Sequence, residues 1–310
     1  MQFKEIHNYL YEKHYLNYNK SSVVSSHWDN YFKKFKIEKK NNKFIISSIG
    51  LFSQAKNKID LIKILFIKIN LYFFIKKYKL NKKIVQNAKK LNKIIGVNLT
   101  FDVVKNFFIY DILNNYSLIN NNKTICVIGD GYGYLGQLIK YIYKDIKIIY
   151  INLGINLFID SYLFSLAFKK EIPLLLNNDN INQIEQSSVI FLEAENMHLL
   201  KNIDINLFIS VASMQEMNFS TINNYFEIFR QNNSQSFFYC CNRVSKKLND
   251  ATIINFDDYP WNANDKIIFE EDCEWYSKYP TYLPFYWKPF EGKVKHKLVK
   301  IVNLKNELHK

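Results

Sequence analysis

The chain is short of glycine, arginine, proline and cysteine, with only eight glycines, five prolines and four cysteines in 310 residues. Forty of its 42 basic residues are lysines, Arg230 and Arg243 being the others. Nucleic-acid readers rely on arginine's planar fork for guanine and phosphate, so the formal charge of +14 predicts no nucleic-acid partner. Lys, Asn, Ile, Tyr and Phe, all with A/T-rich codons, are abundant, and nucleotide bias accounts for much of the basicity. A weak peripheral contact with an anionic membrane surface fits the lysines. Cys126, Cys240, Cys241 and Cys273 form no C-x-x-C pair, which argues against a disulfide scaffold and for a reduced, cytoplasmic protein. The opening MQFKEIHNYLYEKHY is too polar for a signal peptide. Lys63 and Lys68 interrupt the apolar stretch from Ile59 to Ile75, leaving no run of about 20 apolar residues to span a bilayer.

Four of the eight glycines, Gly129, Gly131, Gly133 and Gly136, fall within eight positions. They follow the β-branched run Ile125, Val127 and Ile128 and precede Leu135, Leu138, Ile139 and Ile142 at helical spacing. The pattern predicts a buried strand, a bare turn and a helix, the junction at which Rossmann-like folds bind nucleotides. Gly129, Gly131 and Gly133 resemble the first motif of class I S-adenosylmethionine-dependent methyltransferases. Gly131, Gly133 and Gly136 satisfy G-x-G-x-x-G for a dinucleotide instead. Both registers remain open at this point.

Alternating strands and helices predict an α/β fold with a Rossmann-like sheet, helices on both faces and a helical N-terminal region. Residues 1–115 read as that helical region, in which His27 and Trp28 are candidate acceptor contacts. Residues 116–310 read as the nucleotide-fold domain, ending in an aromatic, proline-rich part. Strands are expected at Ile125–Ile128, Ile146–Ile151, Val189–Leu192, Leu207–Val211 and Phe237–Cys241, with a closing strand at Lys297–Leu304. Ser220 is the expected cap of the helix carrying Ile222, Tyr225, Phe226 and Phe229. At the carboxyl edge, Asn152 ends the second strand, where a side chain takes ribose hydroxyls, and Glu193 ends the third, where an acid can accept from adenine. The acidic run from Asp265 through Glu274 reads as a solvated face or a metal site; the solvated face is preferred, and no metal is expected. The rings and prolines between Pro260 and Pro289 suit the walls of a sugar pocket or a lid packed on itself.

IGDGYG at 128–133, SMQEM at 213–217, YFEIFR at 225–230 and FYCCNR at 238–243 together resemble the bacterial sugar O-methyltransferases of the class I S-adenosylmethionine-dependent group. The resemblance implies methyl transfer to a sugar hydroxyl of a surface glycan or its nucleotide- or lipid-linked precursor. Val127 stands where many class I enzymes carry an acid, and Asn152 where this family usually shows aspartate. The cofactor set expected is Gly129, Asp130, Gly131, Tyr132, Gly133, Asn152, Glu193 and Ser213. Glu216, or alternatively His198, would take the hydroxyl proton; Glu216 paired with Arg243 merely to fix its loop is the competing reading. Gln215, Tyr239, Asn242, Arg243, Asp258 and Trp261 are candidate acceptor contacts, Arg243 suiting a phosphate. A nicotinamide-dependent oxidoreductase and a non-catalytic partner of a glycan-assembly enzyme are the rival readings.

Overall fold

The computed structural model describes residues 2–17, 24–32, 36–40, 43–47, 58–232, 235–281 and 283–303. The N-terminal region supplies α1 (Phe3–Tyr11), α2 (Ser26–Phe32), α3 (Lys58–Lys77), α4 (Lys82–Ile95) and α5 (Phe101–Asn115). Between α2 and α3 lies a hairpin that the sequence reading missed, β1 (Lys36–Lys40) with β2 (Lys43–Ser47). Its charge hides it: KIEKK buries only Ile37. Phe44, from β2, supplies the anchor, packing edge-on to Phe158 at 4.9 Å. Thr100 caps α5, its hydroxyl accepting from Val103 N at 3.3 Å.

The sheet contains β3 (Thr124–Ile128), β4 (Lys147–Asn152), β5 (Pro173–Leu175), β6 (Val189–Glu193), β7 (Leu207–Val211) and β8 (Phe237–Arg243). Between these run α6 (Tyr134–Ile142), α7 (Gly154–Ala167) and α8 (Phe219–Gln231). Two small hairpins flank the last sheet strands: β9 (Ser245–Lys247) with β10 (Ile253–Asn255), and β12 (Lys278–Pro280) with β13 (Trp287–Pro289). The strands β11 (Lys266–Asp272) and β14 (Val294–Lys300) complete the order β5-β6-β4-β3-β7-β8-β14-β11. From β5 to β8 all pairs are parallel, while β14 is antiparallel to both its neighbours. Side chains alternate between two apolar cores: Ile125, Val127 and Tyr150 face one, Cys126, Ile128 and Ile149 the other. A sheet covered on both faces requires such uninterrupted apolar strands. Ile6, Leu10 and Phe107 join the first core, so the N-terminal helices share it with the sheet.

The sequence reading differs from the structure in several places. The closing strand begins three residues earlier than expected, at Val294, and Leu304 lies outside the described residues. The acidic run is an exposed strand, β11, in keeping with the solvated face preferred from the sequence, and is registered so that Glu270 faces Lys297 at 2.8 Å and Glu271 faces His296 at 3.2 Å. Its carboxylates serve cross-strand pairing. Asn218, not Ser220, precedes the first turn of α8. Trp261 packs edge-on to Phe226 at 5.0 Å and donates to Phe256 O, within the second core rather than in a sugar pocket.

Arginine's fork is used at Arg230. It holds Asp265 through two bonds of 2.8 and 2.9 Å and donates to Pro260 O, tying α8 to the start of β11. Burial would raise the Asp265 carboxyl, but Arg230 and the Asn262 and Val302 amides outweigh it and hold the pKa below the usual range. That stabilisation is present above the unfolded carboxyl's pKa and lost as pH falls through the lowered folded value. Arg230→Ala leaves the carboxylate buried and unpaired, at an expected cost of about 3–5 kcal/mol. Chemical denaturation at neutral pH checks this, and the gap to wild type should narrow under acid conditions.

Candidate active site

The strand order reverses at β3, so the carboxyl ends of β3 and β7 diverge and leave a crevice. A cleft of about 300 Å³ occupies it. Its floor is the turn Gly129–Tyr132, with Val211 and Ala212 from the end of β7. The N-terminal region roofs it with His27 and Trp28 of α2 and with Asp102, Lys105 and Asn106 of α5, while Tyr276 and Glu216 close the sides.

Gly129, Gly131 and Gly133 adopt φ of +65°, +78° and +63°, the left-handed region where a side chain is costly. A Cβ at Gly129 would run into the Ser213 hydroxyl, whereas one at Gly131 would meet nothing within 4 Å. Ser213 therefore packs beneath the turn, and Gly131 presents bare backbone to the cleft. Gly136 serves packing: a Cβ there would strike the Tyr150 ring, whose hydroxyl donates to Gly133 O at 3.0 Å. Close helix–sheet packing is also the task of the third glycine in a dinucleotide turn, so Gly136 does not separate the two registers.

Asp130 settles what the turn can accept. Its carboxylate bonds Leu135 N at 3.3 Å and Gly136 N at 3.1 Å, the first free amides of α6. A pyrophosphate needs those amides unoccupied, and here a carboxylate already sits on them. Burial pushes the Asp130 carboxyl up to about 6, opposed by the two amide bonds. At neutral pH it is mainly ionised, so the turn attracts a cation and repels a phosphate.

Numbered in chain order, the core strands read 3-2-1-4-5-7-6, with β5 added outside and the last strand reversed. A simple dinucleotide fold is 3-2-1-4-5-6 and parallel throughout. The fold is a Rossmann-like sheet into which the antiparallel strand β14 is inserted between β8 and β11. No protein-family model and no curated protein matches the chain. Among solved structures it is similar to M. capricolum TrmK in complex with S-adenosyl-homocysteine, at 15% identity and TM-score 0.36 over 61% of this chain and 67% of that one. It is also similar to the Geobacter metallireducens precorrin-6y C5,15-methyltransferase, at 12% identity and TM-score 0.32 over 62% and 89% of the two chains. A Thermoplasma acidophilum protein aligns at 12% identity and TM-score 0.39 over 71% and 97%. Likeness at this level does not reach residue roles, which rest on the geometry of this chain.

The nucleoside end of the expected site is built differently from the sequence reading. Asn152 donates to Asp160 Oδ2 at 2.9 Å and accepts from Leu153 N at 3.0 Å, so its amide is spent inside the fold. Burial, then the charge of Asp130, raises Asp160 well above the carboxylate range, against the Asn152 bond. Glu193 is held by His14 and by Lys13, whose Nζ lies 2.9 Å from Oε1. These two partners overcome burial and keep its pKa below the ordinary value. The His14 ring fills the space where Gly154 lacks a Cβ. The turn Glu12–Leu16 therefore plugs the crevice between the ends of β4 and β6.

Glu216 lines the cleft as expected, but its partners are Lys246 and His27, 3.4 Å away, and not Arg243. His198 is exposed and does not line the cleft. Gln215, Asn242 and Arg243 lock one loop: Gln215 N donates to Asn242 Oδ1 at 3.2 Å and Arg243 N to Gln215 Oε1 at 2.7 Å. The Arg243 guanidinium lies over Phe290 at 4.7 Å. Tyr239 is buried against His296 at 3.3 Å, and Asp258 is exposed and bonds Asn255. None of these five lines the cleft. Sequence reading missed Lys105, Asn106 and Asn156, which do line it, while Tyr276, one of the rings read as possible pocket walls, lines it as well. Only the Thr100 cap marks the α5 pair, by placing Lys105 and Asn106 in that helix's first turns. Lys105 Nζ contacts Asp102 at 2.7 Å and the Tyr276 hydroxyl at 2.8 Å; burial opposes its charge, yet Tyr276 and Asp102 together raise its pKa.

Glu193→Gln removes the charge that holds Lys13 and His14. Amide exchange over residues 12–16 should then become faster than in wild type, with exchange in β3 and β7 unchanged.

Proposed function

We propose that the protein is an S-adenosylmethionine-dependent O-methyltransferase acting on a hydroxyl of a sugar, carried on a surface glycan or on its nucleotide- or lipid-linked precursor. The observation that carries this reading is the Gly131 turn sealed by Asp130: bare backbone open to the cleft, with a carboxylate where a dinucleotide needs free amides. The donor supplies a methyl group on a sulfonium, whose positive charge suits Asp130. Its amino-acid end fits the turn of Gly129, Asp130, Gly131 and Tyr132. Its nucleoside end would run toward β4 and β6, where Lys13 and His14 must leave Glu193 to admit it.

For the acceptor, support comes from the roof of the cleft. Trp28 offers a ring to the C–H side of a sugar, and Asn106 and Asn156 offer amides to its hydroxyls. His27, oriented by Glu216, is placed to take the hydroxyl proton; Lys246 holds Glu216 from the other side. Positioning provides the larger share of the rate, about 7–11 kcal/mol. Proton removal adds about 10²- to 10⁴-fold.

S-adenosylmethionine should raise the melting temperature and NAD should not, since a ligand of the folded state alone stabilises it. Gly131→Asn keeps a residue tolerant of positive φ but puts a side chain into the cleft; it should abolish the S-adenosylmethionine shift while melting close to wild type. An unchanged shift in that variant overturns the reading. The shift should be constant well above pH 6 and shrink as pH falls through about 6, because protonating Asp130 removes the charge that favours the cation. In cells, deleting the gene should cost the surface glycan one methyl group. Restoring it with His27→Asn or Glu216→Gln should leave methylation about 10²- to 10⁴-fold slower, while the purified variants keep the S-adenosylmethionine shift.

A further inference from the structure

The helix α3 carries apolar side chains on every side, interspersed with Lys63, Lys68, Asn70, Lys76 and Lys77. Only one face of it is covered. Leu71 and Phe74 point into the first core, Phe74 stacking on Trp287 at 4.6 Å. On the opposite face Ile62, Leu65, Tyr72 and Phe73 are 45–61% exposed. The chain adds to this face: Leu283, Phe285 and Tyr286 are 51–67% exposed, and Phe285 meets Phe73 at 4.9 Å.

This display is built into the fold. Asn70 is fully buried, and its side-chain amide donates to Thr281 O at 3.1 Å and Leu283 O at 2.8 Å while its oxygen accepts from Phe285 N. Phe285 adopts φ of +60°, a strained conformation for a bulky residue, with its ring turned outward. The charge around the face is predominantly positive, with Glu274 the acid that shares a groove with Phe73, Lys77 and Phe285. From Leu61 to Phe101 the sequence has ten lysines and no acid. Lys68, Lys76 and Lys77 of α3 are exposed beside the apolar stripe.

We infer that α3 and the Leu283–Tyr286 loop form a docking face for an anionic lipid surface, the apolar side chains entering the interface and the lysines meeting the headgroups. The outward apolar side chains and the lysines beside them supply the two attractions, apolar burial and charge, that hold a protein at an anionic interface. None of the described helices is long and apolar enough to cross a membrane. Beside this face runs a groove of about 390 Å³ lined by Ile64, Phe101 and Tyr279, which shares Asp102 and Lys105 with the catalytic cleft. An acceptor held at the lipid surface would thus have a path to the cleft, although docking itself does not depend on the methyl-transfer reading.

Co-sedimentation of the full chain with vesicles tests this directly. The protein should pellet with phosphatidylcholine vesicles containing about 30% phosphatidylserine at least tenfold more than with phosphatidylcholine alone, and added salt should weaken it. Leu65→Ser, Tyr72→Ser and Phe285→Ser combined should cut partitioning about tenfold, with an unchanged thermal unfolding curve. Lys68→Glu with Lys76→Glu retains every apolar side chain and should also release the protein, so the test survives a folding failure of the first variant. Protein left in the supernatant with anionic vesicles overturns the inference. So does a folded triple variant that pellets like wild type, which would mean adsorption by charge alone. A wild-type dimer that the triple variant dissociates would assign the face to a second copy of the chain and overturn it as well.

Discussion

The constraint on which the site depends is the turn from β3 into α6. The chain leaves the sheet, passes three glycines at positive φ and enters a helix whose first amides point back into the crevice. Unbonded buried amides are costly, and any Rossmann-like fold must satisfy them from within or leave them to a ligand. This chain satisfies them from within, through Asp130. The choice converts a site with positive polarity into one with a negative charge at its floor. It also fixes the neighbours: the Gly129 backbone can approach Ser213 only because no Cβ intervenes, and the Tyr150 ring can lie under α6 only because residue 136 is glycine. Donor class thus follows from one hydrogen-bonded carboxylate and the bare backbone next to it.

The N-terminal region is part of the site as well as of the core. Its α1 residues Ile6 and Leu10 are packed with the sheet's first core. Its α2 and α5 supply the roof of the cleft, and its turn at Glu12–Leu16 occupies the end of the crevice. Ser26 anchors α2 at the far side by accepting from Asn249 and Asp250. A cleft made by side chains from such distant parts of the chain has a shape that local motifs cannot specify. It also has a conformational consequence: the plug is held by ion pairs with Glu193, whereas the roof is held by apolar packing of α5 and by the α2 anchor. The plug can therefore move at lower cost than the roof.

Local patterns in the sequence specify local structure well. The apolar strands, the glycine turn and the Thr100 cap are legible because strand period, backbone freedom and capping chemistry are written within a few residues of one another. The hairpin β1–β2 and the strand β11 were hidden by charge, since their stability comes from partners far along the chain: Phe158 for Phe44, and Lys297 and His296 for Glu270 and Glu271. The site residues divide in the same way. The turn of Gly129–Gly133 and the loop residue Glu216 reach the cleft because a strand end points them there. Tyr239, Asn242 and Trp261 lie beyond the same sheet edge in sequence, yet their polar atoms or rings are consumed by neighbours. The choice between lining a cleft and locking a loop is made by tertiary contacts that composition does not record.

The distribution of basic residues supports the same division of labour. The two arginines are used inside the fold, one as a fork on Asp265 and one stacked on Phe290, tasks that depend on a planar cation. The lysines from Lys68 to Lys93 are instead exposed, in a stretch of sequence without an acid. Repulsion within that group disfavours the compact fold, and Lys105, just beyond it, escapes the problem only through Asp102 and Tyr276. The rings and aliphatic side chains displayed beside the exposed lysines carry a second cost in exposed apolar surface, and Phe285 adds a third in backbone strain. One anionic, partly apolar surface relieves the charge and the exposure together, and the groove that begins beneath it ends at the Lys105 wall of the cleft.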